Sequence, residues 1–333
     1  MATGLVIAIM SFKPLAIASR QSPLAVRQAE LVRDLLGEAA GIAPEDREAA
    51  FPLKTYVSTG DKLLAPSLSE IGGKGLFTKE VEDALLSGEA DIAVHSMKDM
   101  PAEMPDGLIL AAVPAREDYR DALVSPGGLT FDALPEGARI GTSSIRRRAQ
   151  LSRLRPDVTL APMRGNVGTR LDKLARGEAD ATFLAEAGLK RLGRDDVTRT
   201  PLSPDIMLPA PGQGILCIQA RADNDAALEL CARINCQDTA LASAAERALV
   251  KKLDASCRTP LAALATLKEG ELSLRAEILM PDGTSHFGGY RELPAQDRSA
   301  PGVLHAAGLI GESLARHLIE EAGDQLTRIF GAS

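Results

Sequence analysis

The sequence contains no tryptophan, and aromatic residues make up only 3% of its 333 positions. Proteins that hold single-stranded nucleic acid stack bases on aromatic rings, so this scarcity argues against that class. The formal net charge of -7 argues against general nucleic-acid binding as well, because such binding needs a broad basic surface. Apolar runs stay short of the ~20 residues of a membrane span, and Met1–Met10 lacks the basic region and cleavage pattern of a signal peptide. We therefore expect a cytoplasmic protein with no nucleic-acid or membrane partner. The chain length and the lack of interface signals favour a monomer.

Cysteine is also scarce, with residues at positions 217, 231, 236 and 257. None forms a Cys-x-x-Cys pair and no histidine lies near them at ligand spacing, so no metal site is expected. Without a secretory signal, disulfides are not expected either. The first three lie in apolar or helical segments and are predicted to be small core residues. Cys257 lies between a predicted helix and a predicted strand, next to Arg258, whose charge favours a thiolate. Its local sequence leaves a structural and a reactive role equally open.

The length predicts two or three domains. After a predicted buried strand at 14–19, Ser22 is placed as a helix N-cap and Pro23 as the first helical residue. Strands and helices then alternate, which predicts a largely parallel sheet. The apolar residues assigned to one face of this first helix are Leu24, Leu31, Val32, Leu35 and Leu36.

The same pattern then repeats. A Leu-x-x-Gly-Glu-Ala-Asp motif occurs at 85–91 and again at 174–180, in each case where a helix ends at glycine and a strand follows. We infer two α/β domains of similar plan, with ligands expected at the carboxyl ends of their strands. From Asp238 onward a helix, three strands and a long helix at 303–322 predict a small α+β domain. The expected domains are 1–114 with 215–234, then 115–214, then 237–333.

The segment Arg139–Arg176 is strongly basic in this acidic chain, and all but one of its cations are arginine. Guanidinium groups hold carboxylates and phosphates in a bidentate geometry that lysine does not offer. Asp157 and Asp172 are the acidic residues within it. Two stretches, 141–148 and 164–170, set arginines beside small and hydroxyl residues, which let the backbone approach an anion. We interpret Arg146, Arg147, Arg164 and Arg170 as anion-binding residues, and Arg148, Arg153, Arg155 and Arg176 as a solvated face.

A third polar stretch, 95–101, follows a predicted strand, and such a position presents side chains to a cleft. Asp99 within it has two interpretations. It neutralises an arginine, or it stabilises a cation that forms on a substrate. His95 is interpreted as a core residue or as a residue that contacts the site residues without contacting the ligand.

Together these stretches carry a resemblance to the porphobilinogen deaminases, also called hydroxymethylbilane synthases. Six motifs occur in the family's order and spacing, from about Lys13 onward: IASRQSPLAVRQA, GGKGLF, HSMKDMP, GTSSIRRR, RGNVGTRL and PAPGQG. The resemblance implies an α/β plus α+β fold. Two α/β domains like type-2 periplasmic binding proteins would surround a cleft, followed by a small C-terminal α+β domain that carries the cofactor cysteine.

The resemblance also implies a transferase of porphyrin and haem biosynthesis. It would condense four porphobilinogen molecules head to tail into 1-hydroxymethylbilane, releasing ammonia from each, on a covalently bound dipyrromethane cofactor. Porphobilinogen carries an acetate and a propionate, so the growing chain is rich in carboxylates, which suits an arginine-lined site.

Residue roles follow by position. Asp99 matches the catalytic carboxylate, and Cys257 matches the residue to which dipyrromethane is attached. The cofactor-binding positions are Ser22, Ser96, Lys98, Thr142, Ser143, Ser144, Arg146 and Arg147. The substrate-binding positions are Arg20, Gln28, Arg164 and Arg170, and the lid positions are Lys74 and Phe77.

The chain departs from the family pattern at a few positions. Ala255 and Ser256 precede Cys257 where glycines are often found, and Glu70 replaces a basic residue of some members. These departures affect the expected detail of the attachment loop and the lid. Two other classes share such a cleft: a solute-binding protein, which needs export but neither Asp99 nor Cys257, and the ligand-sensing domain of a regulator. The second needs a DNA-binding module, and the sequence shows no helix-turn-helix with a basic recognition face.

Overall fold

The computed structural model describes residues 13–62, 77–256 and 259–331. The predicted lid residue Lys74 and the predicted attachment residue Cys257 therefore lie outside the described residues, as do Glu70 and Arg258. The chain divides into two compact units. Unit 1 comprises Met1–Ala115 and Leu216–Cys236, and unit 2 comprises Arg116–Ile215 and Gln237–Ser333.

Unit 1 is built on one five-stranded sheet. Its strands are β1 (Ile17–Arg20), β2 (Leu53–Tyr56), β3 (Ile92–Ser96), β4 (Leu108–Ala112) and β10 (Leu216–Arg221). Its helices are α1 (Pro23–Ala40), α2 (Arg47–Ala50), α3 (Thr59–Lys62), α4 (Lys79–Leu86) and α8 (Asp225–Ala232), with 3-10 turns at Pro44–Asp46 and Met97–Asp99.

The strand order in this sheet is β2-β1-β3-β10-β4. Strand β1 pairs in parallel with β2 and β3, whereas β10 is antiparallel to both β3 and β4. The prediction of a largely parallel sheet is therefore only partly correct. Strand β10 returns from a distant part of the sequence and inserts between two strands that run the other way.

Helix α1 begins as the sequence predicts. The Ser22 side chain accepts a hydrogen bond from the Ala25 N–H, Pro23 occupies the first turn, and Gly41 ends the helix with φ of 70°. The prediction that Leu35 lies on the buried face is wrong, because Leu35 is exposed. Val32 and Leu36 are buried as predicted, and the buried side of the helix also includes Ala25, Gln28, Ala29 and Gly37.

Unit 2 contains a second five-stranded sheet with the order β7-β6-β8-β5-β9. Its strands are β5 (Asp121–Val124), β6 (Arg139–Gly141), β7 (Thr159–Ala161), β8 (Ala181–Ala185) and β9 (Arg199–Pro201), and its helices are α5 (Ile145–Leu154), α6 (Val167–Ala175) and α7 (Glu186–Arg191). Strand β6 is parallel to β7 and β8, and β5 is antiparallel to β8 and β9. Three parallel strands followed by an antiparallel one is also the plan of the first sheet, so the two α/β sheets share one topology.

The repeated Leu-x-x-Gly-Glu-Ala-Asp motif performs the same structural task in both sheets. In unit 1, Asp91 Oδ2 accepts a hydrogen bond from the Ala16 N–H (2.8 Å). In unit 2, Asp180 Oδ2 accepts one from the Arg139 N–H (2.7 Å). Each aspartate thus ties the start of one strand to the start of its parallel neighbour. The internal likeness seen in the sequence is a likeness of structure.

The last part of unit 2 is the predicted α+β layer. Strands β11 (Leu261–Lys268), β12 (Glu271–Leu279) and β13 (His286–Pro294) form an antiparallel sheet. The helices are α9 (Gln237–Lys252), α10 (Val303–Ala322) and α11 (Gln325–Gly331). A side chain at Gly311 of α10 would clash with the Ala245 carbonyl of α9, so glycine allows these helices to pack closely. The α/β plus α+β fold class is confirmed.

The cysteines divide by burial. Cys217 and Cys231 are buried, as predicted for core residues. The same prediction is wrong for Cys236, which is only partly buried and lies after α8 rather than inside an apolar element. Among the helices of the described ranges, none is long and apolar enough to span a membrane.

Candidate active site

A pocket in unit 1 collects residues that are far apart in the sequence. It lies at the carboxyl ends of β1 and β3, beside the first turn of α1. Its lining includes the predicted site residues Arg20, Ser22, Gln28, Phe77, Ser96 and Asp99, together with Leu24, Ala25, Thr78, Val94 and His95.

The sheet explains why these residues meet. Arg20 is the last residue of β1 and Ser96 is the last residue of β3, and the two strands are parallel neighbours. Side chains that follow parallel strands therefore emerge at the same edge, where α/β folds bind ligands. Asp99 closes the 3-10 turn after β3 and is exposed to solvent. Lys98 is half-buried in the same turn and is not among the pocket-lining residues.

The pocket offers binding groups of both charges. The Arg20 guanidinium carbon lies 4.4 Å from the centre of the Phe77 ring, a cation–π contact. Gln28 is buried in α1, and its Nε2 donates to Ser96 Oγ across the gap to β3 (2.8 Å). Arg20 thus suits an anionic ligand group, and the Asp99 carboxylate suits a cationic one.

A chain of buried polar groups runs behind this wall. His95 Nε2 lies 3.2 Å from Gln219 Oε1, and Gln219 Nε2 donates to Glu82 Oε1 (3.1 Å). The other Glu82 oxygen accepts from the Thr78 hydroxyl (3.1 Å). Because the Glu82 carboxylate accepts the amide N–H, the Gln219 oxygen faces His95, which assigns the imidazole proton to Nε2. His95 is buried, as the sequence predicted, and burial lowers its pKa to about 4 despite the opposing effect of the hydrogen bond that it donates to Gln219.

This histidine predicts an acid sensitivity. Its pKa is about 4 in the folded protein and about 6.5 in an unfolded chain. The folded state binds this proton less readily than the unfolded state does. The contribution of neutral His95 to the free energy of unfolding is therefore complete above about pH 6.5 and is lost as the pH falls towards 4. We expect a loss of about 3 kcal/mol across this window. Urea unfolding at several pH values should show a shallower pH dependence for His95→Gln than for the native protein. The exposed His286 provides a control, since His286→Gln should leave the dependence unchanged. An identical slope in all three proteins would contradict the assignment.

In unit 2, the predicted hydroxyl residues form the turn between β6 and α5. Ser144 is the N-cap of α5, and its side chain accepts from the Arg147 N–H. Ser143 Oγ accepts from the Met163 N–H (3.1 Å), and Thr142 Oγ1 accepts from the Ser144 N–H (3.2 Å). All three hydroxyls accept backbone hydrogen bonds, and a hydroxyl group that accepts can also donate its O–H proton.

Arg146 and Arg147 are buried in α5, and both are paired with one carboxylate that sequence analysis did not identify. Arg146 Nη2 donates to Asp121 Oδ2 (2.6 Å), and Arg147 Nη2 donates to Asp121 Oδ1 (2.7 Å). Burial of Asp121 by itself raises the pKa of its carboxyl, but the charges of the two arginines and the hydrogen bonds from Arg147 and Gln213 outweigh it. Its pKa is held well below the usual range, so Asp121 is ionised.

The positive charge of Arg146 and Arg147 exceeds that of the one carboxylate to which they donate hydrogen bonds, and Glu277, which also attracts Arg146, pairs with Arg153 at 3.5 Å. Two guanidinium groups share one carboxylate, and their other contacts are to neutral carbonyls: Arg146 Nη1 donates to Leu208 O (2.6 Å) and Arg147 Nη1 to Phe183 O (2.8 Å). Arg147 Nε is buried and has no hydrogen-bond partner within the described part of the chain. A buried charge without a full partner is unfavourable, so an anionic ligand group would stabilise this cluster.

The other arginines of the basic segment differ in setting. Arg164 is exposed, and Arg170 is half-buried with its Nε donating to Gly165 O (2.8 Å). The interpretation of Arg155 as a solvated residue is wrong, since it binds Asp157 through two nitrogens and also donates to backbone carbonyls. Arg153 is likewise mostly buried, with Glu277 at 3.5 Å. Arg148 is half-buried, and Arg176 is exposed and pairs with Glu178 at 2.8 Å.

Solved structures with some likeness to this chain are distant. The substrate-binding domain 2 of GlnP from Lactococcus lactis gives a TM-score of 0.40 at 14% identity, over 65% of this chain and 85% of that one. The VFT2 domain of BvgS from Bordetella pertussis also gives 0.40 at 14% identity, over 70% of this chain and 91% of that one. At this level the likeness carries no argument about ligand or activity.

Sequence comparisons are far closer. Residues 15–229 match the family model "Porphobilinogen deaminase, dipyromethane cofactor binding domain", and residues 240–318 match "Porphobilinogen deaminase, C-terminal domain". A porphobilinogen deaminase of Paracoccus denitrificans is 50% identical over 300 residues, which is 90% of this chain and 95% of the relative. One from Caulobacter vibrioides is 50% identical over 278 residues, which is 82% of this chain and 86% of the relative. The chain belongs to the porphobilinogen deaminase family.

Proposed function

We propose that Asp99, in the unit 1 pocket, is the carboxylate that acts in the reaction of this family. The chain is a transferase of tetrapyrrole biosynthesis that condenses four porphobilinogen molecules head to tail into 1-hydroxymethylbilane, with loss of ammonia from each. Its family domain binds a dipyrromethane cofactor. The observation that carries the proposal is an exposed carboxylate in the same pocket as an arginine and a set of hydroxyl and amide groups.

The reaction needs a fixed negative charge. When ammonia leaves porphobilinogen, the remaining pyrrole is electron-poor and gains positive character. A carboxylate already positioned beside it stabilises this species more than it stabilises the starting substrate, which is the condition for catalysis. Asp99 ends the short 3-10 turn that directly follows β3, which places its carboxylate at the carboxyl end of that strand.

The carboxylates of the substrate need the opposite charge. We assign Arg20 to them within the pocket, with Gln28 and Ser96 as neutral hydrogen-bonding groups beside it. Phe77 lies against the Arg20 guanidinium and limits its movement. Arg164 and Arg170 in unit 2 are assigned to substrate or growing-chain carboxylates, and the exposure of Arg164 leaves it accessible.

The cofactor positions suit the acidic side chains of a dipyrromethane. When bound, dipyrromethane supplies the pyrrole carbon to which the growing chain is joined. The excess positive charge of Arg146 and Arg147 favours its carboxylates, as does the buried Arg147 Nε, which lacks a partner among the described residues. The O–H groups of the 142–144 turn are donors of the right kind, and Lys98 and Ser22 are assigned to the same task. Cys257 is proposed as the point of covalent attachment.

The proposed attachment predicts a mass. Native protein should be heavier than its sequence by two pyrrole units, and Cys257→Ser should lose that addition and be inactive. Intact-mass spectrometry measures both, with Cys236→Ser, which changes a partly buried thiol elsewhere in the chain, as the control. The same measurement separates a deaminase from a solute-binding or ligand-sensing protein, because only the deaminase carries the pyrroles. Active native protein with only its sequence mass would refute the assignment.

A second prediction concerns Arg164. Arg164→Leu should keep a cooperative thermal transition, because the residue is exposed, while losing substrate binding worth about 2–5 kcal/mol if the contact is desolvated. Steady-state turnover and porphobilinogen binding measure the loss. Arg176→Leu serves as the control, since Arg176 is also an exposed arginine of the segment and pairs with Glu178. Normal turnover of Arg164→Leu, or its failure to fold, would count against the role.

We also propose three domains, 1–114 with 215–234, 115–214 and 237–333, in a cytoplasmic monomer without nucleic-acid or membrane partners. The shared topology of the two α/β sheets and the separate antiparallel sheet support the division. Light scattering of the purified protein tests the monomer, and limited proteolysis tests the boundaries.

A further inference from the structure

Asp121 joins two arginines that are adjacent in sequence and gives each its own carboxylate oxygen. It is the first residue of β5 and is fully buried. The geometry points to Asp121 as the positioning residue of the cofactor site: it orients Arg146 and Arg147 while leaving one positive charge for the carboxylates of dipyrromethane. This inference rests on the proposed cofactor role of the two arginines.

The carboxylate is itself held in place. Gln213, from the Pro-Ala-Pro-Gly-Gln-Gly motif, is buried and donates through Nε2 to Asp121 Oδ1 (2.9 Å) and to Tyr119 O (2.8 Å). The backbone of Asp121 pairs with Ala185 of β8 in the sheet. An anchor on an interior strand, held by a second buried side chain, has little freedom to move. It therefore fixes the direction in which the two guanidinium groups present their remaining N–H donors.

Each arginine is also held at a second nitrogen. Arg146 Nη1 donates to Leu208 O and Arg147 Nη1 donates to Phe183 O, so each guanidinium is attached at two points and cannot rotate freely. Arg147 Nε remains without a partner within the described residues, in spite of its burial. A second carboxylate, Glu277, also attracts Arg146 but pairs with Arg153 at 3.5 Å, so Asp121 is the carboxylate to which both Arg146 and Arg147 donate hydrogen bonds. Two guanidinium groups that share one hydrogen-bonded carboxylate suit a site that receives a further anion from a ligand.

The test is the loading of apo-protein. Protein produced in cells that make no porphobilinogen is mixed with porphobilinogen, and attachment of dipyrromethane is followed by intact mass. Loading is measured well below the midpoint temperature of thermal unfolding, and its rate is normalised to the fraction of folded protein. Asp121→Asn should slow loading by about tenfold or more, because the N–H donors of Arg146 and Arg147 would no longer be held in the orientation that binds the carboxylates of dipyrromethane. Asp118→Asn is the matched control, since Asp118 also pairs with an arginine, Arg120 at 2.7 Å, in the same segment. It should load at the native rate.

Chemical rescue separates positioning from general stability. Asp121→Ala leaves space between the two guanidinium groups, and formate should restore both the loading rate and part of the thermal midpoint. Chloride at equal ionic strength should restore neither. If the Asp121 variants do not fold, Gln213→Leu provides the test, because it removes the hydrogen bond that Gln213 donates to Asp121 and keeps both ion pairs. It should also slow loading, by a smaller factor than that expected for Asp121→Asn.

The outcomes distinguish this inference from the proposal beneath it. If Arg146→Gln and Arg147→Gln load at the native rate, the arginines do not bind the cofactor and both ideas fail. If those variants load slowly while folded Asp121→Asn loads at the native rate, only the role of Asp121 is refuted. That role is also refuted if formate and chloride act alike on Asp121→Ala, or if Gln213→Leu loads normally where the Asp121 variants do not fold.

Discussion

Asp99→Asn is expected to lose about a hundredfold or more in turnover, because it removes a fixed charge that stabilises the reacting cation. The amide is almost the same size as the carboxylate, so packing is kept and only the electrostatic contribution is removed. Asp99 is exposed at the pocket that it shares with Arg20. Because an exposed side chain contributes little to the core, the substitution should leave the fold intact. Substrate binding should change much less than turnover, since the lost interaction is made chiefly in the transition state.

The decisive measurement is single-turnover release of ammonia from porphobilinogen by folded, cofactor-loaded protein. Asp99→Glu keeps the charge but displaces it, and should retain part of the activity. Asp106→Asn is a matched control, since Asp106 is another exposed aspartate of unit 1 and does not line the pocket. Release of ammonia at the native rate by Asp99→Asn would show that its carboxylate is structural, and Glu103 or Asp61 would become the next candidate.

The unit 1 pocket was accessible to sequence analysis because its residues follow strands. Arg20 and Ser22 lie at the end of β1 and just after it, and Ser96 and Asp99 stand in the same relation to β3. Parallel neighbouring strands bring their carboxyl ends to one edge, so recognising the two strands is enough to predict that these side chains meet. The N-cap at Ser22 was predictable for a similar reason, since it depends only on the residues around it.

Asp121 was not predictable in this way. It precedes Arg146 and Arg147 in the sequence, on a strand that is separated from them by another strand and a helix start. Nothing local marks it as their partner, and within the basic segment itself the visible acids were Asp157 and Asp172. Pairing between distant segments depends on the strand order β6-β8-β5, which the sequence does not state. The insertion of β10 between β3 and β4 was unpredictable for the same reason, since it depends on contacts between segments that are distant in the sequence.

Leu35 shows a different limit. Its position agrees with an apolar stripe, yet Gln28 takes a buried place on that helix because Ser96 offers it a hydrogen bond. Hydrophobic periodicity fixes the face of a helix only to within about one residue, and a polar side chain with a good partner changes which residues are buried. Burial of Gln28 is thus a sign of the site, and only the structure shows it.

Buried charge also predicts the largest effect on stability, at Glu246 of α9. This side chain is 1% exposed and accepts from Arg116 Nη1 (2.7 Å), from the Ala265 N–H (2.7 Å) and from the Gly212 N–H. Arg116 also donates to the carbonyls of Gln213 and Ala265. The carboxylate therefore connects α9 to β11 and to two separate chain segments.

Glu246→Gln keeps the size of the side chain but leaves Arg116 as a buried charge without its counterion. It also replaces one accepting oxygen by an NH2 group, which cannot accept the hydrogen bonds that the backbone N–H groups donate at this position. Removing one partner of a buried pair is typically unfavourable by about 3–5 kcal/mol, and we expect the free energy of unfolding to fall by that amount in urea. Glu312→Gln breaks an exposed pair with Arg316 on α10 (3.4 Å) and is the matched control, with an expected loss of about 1 kcal/mol or less. Equal losses in the two variants would show that the Glu246 pair is no stronger than a surface contact. A large loss confined to Glu246→Gln, together with normal ammonia release by the protein that remains folded, would instead assign this carboxylate to the stability of unit 2 and not to its chemistry.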